Sequence, residues 1–243
     1  QLMTPSDLPS RWRMYAALHG LRCLNALFSV TYDCDQACGT EYHARLQKYI
    51  KYCQEKDLIC NCAQTDVKGS RNPKYKRAHM QPDPDQFFHI VDTDVDGVDI
   101  DGTPTKGIIV RGAKICNSCA PYVDEIIVNP TKFMSQDDAA YALSFALPAD
   151  WPGIKLMALP GQHHKRKHID APWAHIGDVE SMTIFDDVFV PEDRVFLNAW
   201  TLRRGPVRRL PGLMFAHYHR HSYTGCKTAV SEVIASQAAW WPM

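Results

Sequence analysis

Residues 107–128 read GIIVRGAKICNSCAPYVDEIIV, and this stretch decides the fold class of the chain. It contains two short apolar runs, at 107–110 and 125–128, that are separated by turn-forming and polar residues. Runs of this length that are rich in Ile and Val and bounded by Gly, Pro, Asn or Asp are typical of β-strands. We therefore predict two strands in this stretch.

Short runs of the same character recur on both sides of it. The pairs Asp96-Gly97 and Asp101-Gly102 are typical of the tight turns that join antiparallel strands in hairpins. The other predicted strands are 87–91, 141–146, 154–159 and 181–185. Together these features predict an antiparallel β domain over residues 63–205.

Helical spacing precedes this domain. Ser10 is a typical N-cap residue for a predicted helix at 11–28. In a second predicted helix at 41–56, the apolar side chains recur every three or four residues along one face, which indicates that this face packs on a core. They are Tyr42, Leu46, Tyr49, Ile50 and Cys53. We predict that residues 1–62 form a helical domain.

Helical spacing returns after the β domain. Residues 213–239 have this spacing, and Gly225 is the one residue among them that strongly disfavours a helix. We therefore predict an α+β fold in which a second helical domain occupies residues 206–243. The chain starts in the lead-in to the first predicted helix and stops at residues 238–243, inside or just after a helical pattern and without a capping signal, so we expect it to be truncated at both ends.

Composition excludes some classes of partner. Lys plus Arg and Asp plus Glu both number 27, so the chain has no net charge that would attract nucleic acid or an anionic membrane surface. No apolar stretch approaches the ~20 residues needed to cross a bilayer, and the first residues lack the layout of a signal peptide. We expect a cytoplasmic protein. The nine cysteines are odd in number, which favours reduced thiols.

The last predicted helix carries the most reactive group of side chains. His219, Tyr223 and Cys226 are spaced i, i+4 and i+7, so a base, a phenol and a thiol share one helical face, with Lys227 beside them. This grouping suits proton abstraction or metal ligation. The alternative is an interior helix whose His and Tyr are hydrogen-bonded core residues.

Residues 219–227, HRHSYTGCK, resemble the HRxSYxGCK signature of 4-hydroxybutyryl-CoA dehydratases. Further matches to the same proteins run in order along the chain, at 25–32, 39–43, 57–59, 65–71, 110–114 and 185–194. On this ordered set the chain resembles the 4-hydroxyphenylacetate 3-hydroxylase / 4-hydroxybutyryl-CoA dehydratase family.

The resemblance implies a fold and a cofactor. Members of this family follow the acyl-CoA dehydrogenase-like plan, with a helical domain, a β domain and a C-terminal helical bundle, and they usually form homotetramers. FAD in the family lies between the β domain and the bundle. By position, the segment from Gln64 to Arg71 resembles the flavin-contacting loop, and Asn117-Ser118 resembles a second flavin contact.

The chemistry of that loop agrees with this role. Its side chains and backbone offer hydroxyls, N–H groups and cations to a pyrophosphate and to ring oxygens. The candidate flavin-binding residues in it are Gln64, Thr65, Asp66, Lys68 and Arg71. Without the resemblance, the same segment is typical of a polar surface loop.

The resemblance also implies catalytic roles. His219 matches the general base that removes a proton α to an acyl-CoA thioester, and Tyr223 and Glu180 match neighbours that orient or relay the proton. Lys227 completes the candidate catalytic group. The substrate would be a small acyl-CoA, and the enzyme a flavin-dependent lyase or isomerase.

One feature of the dehydratases does not carry over. Their [4Fe-4S] cluster has three Cys ligands and one His ligand, of which His219 and Cys226 match two. The other two positions hold Met14 and Leu18, whose thioether and alkyl groups cannot replace thiolates. The sequence therefore does not supply the complete ligand set.

Two other functions remain open. An FADH2-dependent aromatic monooxygenase of the same family would act on a phenol, would take its reduced flavin from a flavin reductase, and would need no cluster. A non-catalytic member is the other alternative, and the replaced ligand pair at Met14 and Leu18 favours both.

Overall fold

The computed structural model describes residues 8–75, 78–130, 136–159 and 179–199. Within these residues, two helices precede two four-stranded sheets. The helices are α1 (Leu8–Cys38) and α2 (Tyr42–Glu55). The strands are β1 (Cys60–Ala63), β2 (His89–Val98), β3 (Pro104–Lys114), β4 (Glu125–Val128), β5 (Leu143–Pro148), β6 (Ile154–Ala158), β7 (Ser181–Pro191) and β8 (Val195–Asn198). The predicted domain at 206–243 lies outside the described residues.

The two sheets confirm the order of helices followed by strands, with one difference in direction. The sheet β2-β3-β7-β6 is antiparallel throughout, whereas in the sheet β1-β4-β5-β8 the pair β1–β4 is parallel. Strands β2 and β3 belong to the other sheet, and this long crossover allows β1 and β4 to run in the same direction. The predicted domain boundary between residues 62 and 63 falls inside β1.

Two strands were absent from the prediction, and one predicted turn is wrong. Strand β1 reads CNCA and β8 has four residues, so neither has the β-branched run that identifies strands. Asp96 and Gly97 lie inside β2, paired with β3. A side chain on Gly97 would clash with the ring of Phe189, so this glycine allows a close ring contact instead of a turn. The turn pair at 101–102 is confirmed.

Helix α1 extends ten residues beyond the predicted end at residue 28 and already includes Ser10, so that residue is not its N-cap. It ends at Gly39, which has a φ of +67° and donates its N–H to the carbonyl of Asp35. The carboxylate of Asp35 accepts the N–H groups of Tyr42 and His43 at 2.9 and 2.8 Å, and so caps α2. One side chain thus fixes the angle between the helices.

The core joins the sheets to each other and to the helices. Phe145 of β5 packs against Phe185 of β7, with ring centroids 5.9 Å apart. A disulfide between Cys23 of α1 and Cys62 of β1 links the helical part to the first sheet, so the expectation of reduced thiols is wrong for this pair. In the described part of the chain, no helix has the length and hydropathy needed to span a membrane.

Candidate functional site

The end of β3 meets the start of the segment predicted to contact a cofactor. The backbone N–H of Ile115 donates to the carbonyl of Thr65 at 2.8 Å, and Asp66 forms an isolated antiparallel bridge with Lys114. The two segments that sequence analysis singled out separately, 64–71 and 117–118, are therefore neighbours in space. They are joined through Ile115, which follows β3, bonds to Thr65 and lies two residues before Asn117.

Lys114 is a buried lysine at this junction. Its side chain is 2% exposed, and its ammonium group donates to the carboxylate of Asp66 at 2.5 Å. It also donates to the carbonyls of Gln64 and Asn129, at 3.1 and 3.0 Å. A buried ammonium with three acceptors is satisfied in its hydrogen bonding. Lys114 thus holds Gln64 and Asp66 in place, and the carboxylate of Asp66 is engaged within the protein.

Asn117 is fully buried, and both ends of its amide are engaged within the protein. Its side-chain oxygen accepts the hydroxyl of Thr183 at 2.9 Å, and its side-chain nitrogen donates to the carbonyl of Ile115 at 3.3 Å. The hydroxyl of Ser181 donates to the carbonyl of Asn117 at 2.8 Å. The amide thus fastens the loop to β7, and the flavin contact of Asn117 and Ser118 stays a prediction.

Ser118 and Glu180, predicted for different roles, are in direct contact. The Ser118 hydroxyl donates to one carboxylate oxygen of Glu180 at 2.6 Å. The other oxygen of Glu180 is buried and has no hydrogen-bond partner among the described residues. A buried carboxylate oxygen without a donor is costly, so this atom marks a place where a donor from outside the described residues would be favourable.

The loop that carries Ser118 has an unusual backbone. Cys116 and Cys119 both have positive φ angles, of +53° and +62°, although neither is glycine. Such a conformation costs on the order of 1–3 kcal/mol per residue and persists where surrounding contacts enforce it. Here the N–H groups of Asn117 and Cys119 donate to the carbonyls of Ser181 and Val179. The strained loop turns the Ser118 hydroxyl toward Glu180.

Residues 65–75 curl around an open cleft of about 300 Å³. Lys68 and Arg71 line it and are exposed, so the cleft has two cations at its surface. Gln81 closes its inner side and is 8% exposed. Sequence analysis did not single out Gln81, because a glutamine followed by alternating prolines and acidic residues carries no signal of a buried role. For Lys114 the sequence does carry a signal of burial, because this residue falls on the same side of β3 as the buried Ile108 and Val110.

Comparison with known proteins identifies the family. The model of the family described as 4-hydroxyphenylacetate 3-hydroxylase N terminal matches residues 11–197. The chain belongs to this family. Among curated relatives of the family, it is 38% identical to the 4-hydroxybutyryl-CoA dehydratase/vinylacetyl-CoA-Δ-isomerase of Clostridium aminobutyricum, over 90% of this chain and 42% of that protein.

Other members of the 4-hydroxyphenylacetate 3-hydroxylase family are less similar. The 4-hydroxyphenylacetate 3-monooxygenase oxygenase component of Thermus thermophilus is 29% identical, over 82% of this chain and 38% of that protein. The chain spans less than half the length of these curated relatives.

Solved structures of the family share the fold. An oxygen-tolerant archaeal 4-hydroxybutyryl-CoA dehydratase from N. maritimus has a TM-score of 0.68 and 29% identity, covering 96% of this chain and 45% of that chain. A 4-hydroxyphenylacetate 3-monooxygenase oxygenase component complexed with FAD and 4-hydroxyphenylacetate has a TM-score of 0.65 and 23% identity, covering 96% and 46%. Because its identity is only 23%, the similarity to the monooxygenase structure establishes a shared fold and nothing further.

The predicted catalytic and metal-binding residues of the last helix lie outside the described residues. They are His219, Tyr223, Cys226 and Lys227. The positions of Met14 and Leu18 lie in α1, one helical turn apart. Among the described residues, no group of three or more Cys, His, Asp or Glu side chains could hold a metal ion. Cys34 and Cys38 lie one helical turn apart near the end of α1, and burial raises the pKa of the Cys34 thiol to about 12.

Proposed function

We propose that this chain is part of an FAD-dependent enzyme that removes a proton α to the thioester of an acyl-CoA, as a lyase or isomerase resembling 4-hydroxybutyryl-CoA dehydratase. The observation that carries this proposal is the 38% identity to that enzyme over 90% of the chain. The monooxygenase relative is less similar, at 29% over 82%. The whole protein would follow the acyl-CoA dehydrogenase-like plan, with residues 206–243 beginning the C-terminal bundle of a cytoplasmic homotetramer.

The residues of the 65–75 loop, together with Ser118 and Glu180, fit a flavin. The buried oxygen of Glu180 that has no partner among the described residues is an acceptor for an N–H donor, which the flavin ring carries, and Ser118 holds that carboxylate in place. The exposed Lys68 and Arg71 suit the pyrophosphate, and Thr65 offers a hydroxyl beside them. When bound, FAD supplies an electron acceptor that makes a weakly acidic α-proton removable.

The proton itself is moved by side chains of this chain. His219 is proposed as the base, since an imidazole titrates near neutral pH and can accept and return a proton. Tyr223 and Lys227, on the same predicted helical face, would orient the base and the thioester carbonyl. Glu180, with its orientation fixed by the Ser118 hydroxyl, would relay the proton.

The sequence does not supply the complete ligand set of a [4Fe-4S] cluster, and we assign no step to one. Beyond His219 and Cys226, the two remaining ligand positions hold Met14 and Leu18. This replacement favours a second candidate function, in which the chain is part of an aromatic monooxygenase that takes reduced flavin from a reductase and acts on a phenol. A non-catalytic member is the remaining outcome.

The test follows the α-hydrogen of a small acyl-CoA in deuterated water. The chain should catalyse incorporation of deuterium at the α-carbon, and His219→Ala should abolish it. Lys155→Ala is the control, because Lys155 forms an exposed ion pair with Asp186. Persistent exchange in His219→Ala would remove the assigned base. Oxygen-dependent turnover of a phenol with supplied FADH2, without exchange, would establish the second function, and neither activity would indicate a non-catalytic member.

A further inference from the structure

Gln81 is a buried amide that reaches into a loop from outside it. Its side-chain oxygen accepts the backbone N–H of Ser70 at 2.7 Å. Its side-chain nitrogen donates to the carbonyl of Tyr75 at 2.5 Å and to the carbonyl of Ser70 at 3.4 Å. All of these partners are backbone atoms on the two arms of the loop that encloses the 300 Å³ cleft.

The loop also fits closely against this amide. A side chain on Gly69 would clash with the side-chain oxygen of Gln81 and with the ring of Phe87. The absence of a side chain at residue 69 therefore lets the backbone approach the amide and form the bond from Ser70. The position of residues 69 and 70 is set by contact with Gln81.

The loop has a second fixed point at its start. There the carbonyl of Thr65 accepts the N–H of Ile115, and Lys114 binds Gln64 and Asp66. Between and beside these two fixed points lie the exposed cations Lys68 and Arg71, whose positions follow from the backbone of the loop. Without Gln81, the loop would be fixed at its start alone.

We propose that Gln81 is a positioning residue, which holds residues 69–75 in the shape in which Lys68 and Arg71 can bind the phosphates of the cofactor. This inference rests on the proposed function for the identity of the ligand. Gln81 itself makes no contact with the cofactor in this role. A residue that served packing alone could be apolar, whereas this one satisfies three backbone groups of a polar loop.

The first experiment measures the FAD affinity of Gln81 variants by fluorescence titration. Gln81→Met keeps the length of the side chain and removes the hydrogen bonds, and it should raise the Kd for FAD roughly tenfold, as expected for one to two net hydrogen bonds. Gln81→Glu keeps the acceptor for Ser70 and loses the donor to Tyr75. Its Kd for FAD should therefore lie between that of the unaltered chain and that of Gln81→Met. Unchanged affinity in Gln81→Met would overturn the proposal.

A double-mutant cycle separates positioning from a general loss of stability. If Gln81 acts through Arg71, then Arg71→Ala combined with Gln81→Met should bind FAD about as weakly as either variant alone. The salt dependence of the Kd should fall in Gln81→Met as it does in Arg71→Ala, since fewer cations meet the phosphates. Strictly additive effects, with an unaltered salt dependence, would assign Gln81 a structural role alone.

A cofactor-free measurement keeps this inference distinct from the proposed function. Trypsin cleaves after Lys68, Arg71 and Lys74, and Gln81→Met should speed cleavage at these three sites about tenfold while cleavage elsewhere is unchanged. If the unaltered chain fails to bind FAD but this acceleration is found, the proposed function falls and Gln81 still positions the loop. Equal cleavage rates would refute the positioning role itself.

Discussion

The ammonium group of Lys114 and the carboxylate of Asp66 form a buried ion pair, 2.5 Å apart, at the point where the third strand meets the candidate cofactor loop. The ammonium is also bonded to two carbonyls, so the lysine ties its own strand to two other chain segments, at residues 64–66 and at Asn129. Breaking such a pair from one side leaves an uncompensated charge in the interior, which typically costs about 3–5 kcal/mol.

Lys114→Met should therefore lower the free energy of unfolding by about 3–5 kcal/mol, as measured by urea denaturation. The double variant Lys114→Met/Asp66→Leu removes both charges and should recover much of the loss, because the remaining side chains are apolar. If the double variant is as unstable as the single one, the pair is not the source of the effect.

The contact between Ser118 and Glu180 predicts effects of different size on the rate of deuterium exchange. Glu180→Gln preserves the shape and the bond from Ser118 but removes the charge, so kcat for deuterium exchange should fall about 10²-fold or more if Glu180 relays a proton. Ser118→Ala leaves the charge of Glu180 but no longer fixes the orientation of its carboxylate. The kcat for deuterium exchange should then fall about tenfold. Equal and small effects of both variants would contradict the relay.

A pH dependence of stability follows from Glu125, which is 1% exposed in β4. Burial raises the pKa of this carboxyl from 4.5 to about 7, against the opposing effect of Arg194, whose guanidinium donates to it at 3.1 Å. Between these two pH values the folded state binds more protons than the unfolded state. The contribution of Glu125 is therefore fully present below pH 4.5 and is lost as the pH rises through 7.

Thermal unfolding from pH 5 to pH 8 tests whether the contribution of Glu125 to stability falls as the pH rises. The Tm of the unaltered chain should fall relative to that of Glu125→Gln, whose neutral amide cannot ionise. Glu55→Gln is the matched control, because Glu55 forms an exposed ion pair with Lys51 and should track the unaltered chain. A constant difference in Tm between Glu125→Gln and the unaltered chain would contradict the raised pKa.

The disulfide between Cys23 and Cys62 makes stability depend on redox conditions. It closes a loop with a sequence separation of 39, and such bonds typically contribute about 2–4 kcal/mol. Dithiothreitol should lower the Tm of the unaltered chain, and Cys23→Ser/Cys62→Ser should have the lower Tm with or without reductant. Cys116→Ser, which alters an exposed thiol, should respond to reductant as the unaltered chain does. A Tm independent of reductant would argue against the bond.

Local pattern was sufficient for some elements of this fold. The apolar stripe of α2 is confirmed, with Tyr42, Leu46, Tyr49 and Cys53 buried, and β4 has the bounds that its run of Ile and Val predicted. The family resemblance is also confirmed, and the segments that it indicated, 64–71 and 117–118 with Glu180, lie close together.

Other features depend on tertiary contacts that no local pattern carries. Helix α1 continues to Cys38, and its last turns include Asp35. The carboxylate of Asp35 binds the N–H groups of Tyr42 and His43, which come later in the chain, so the pattern before residue 28 does not indicate this contact. Gln81 acquires its role from the carbonyls and N–H of a loop several residues earlier. The amide of Asn117 is satisfied by a strand more than sixty residues away, which its own sequence context cannot indicate.

The measurement that tests the account most directly is a titration of the purified chain with FAD, followed by gel filtration and an absorbance spectrum of the protein peak. We predict that flavin elutes with the protein, with its visible band altered by the binding site, and that Ser118→Ala and Arg71→Ala both weaken the binding while Lys155→Ala does not. Flavin that elutes entirely free of the unaltered chain, or binding that is indifferent to Ser118 and Arg71, would contradict the account.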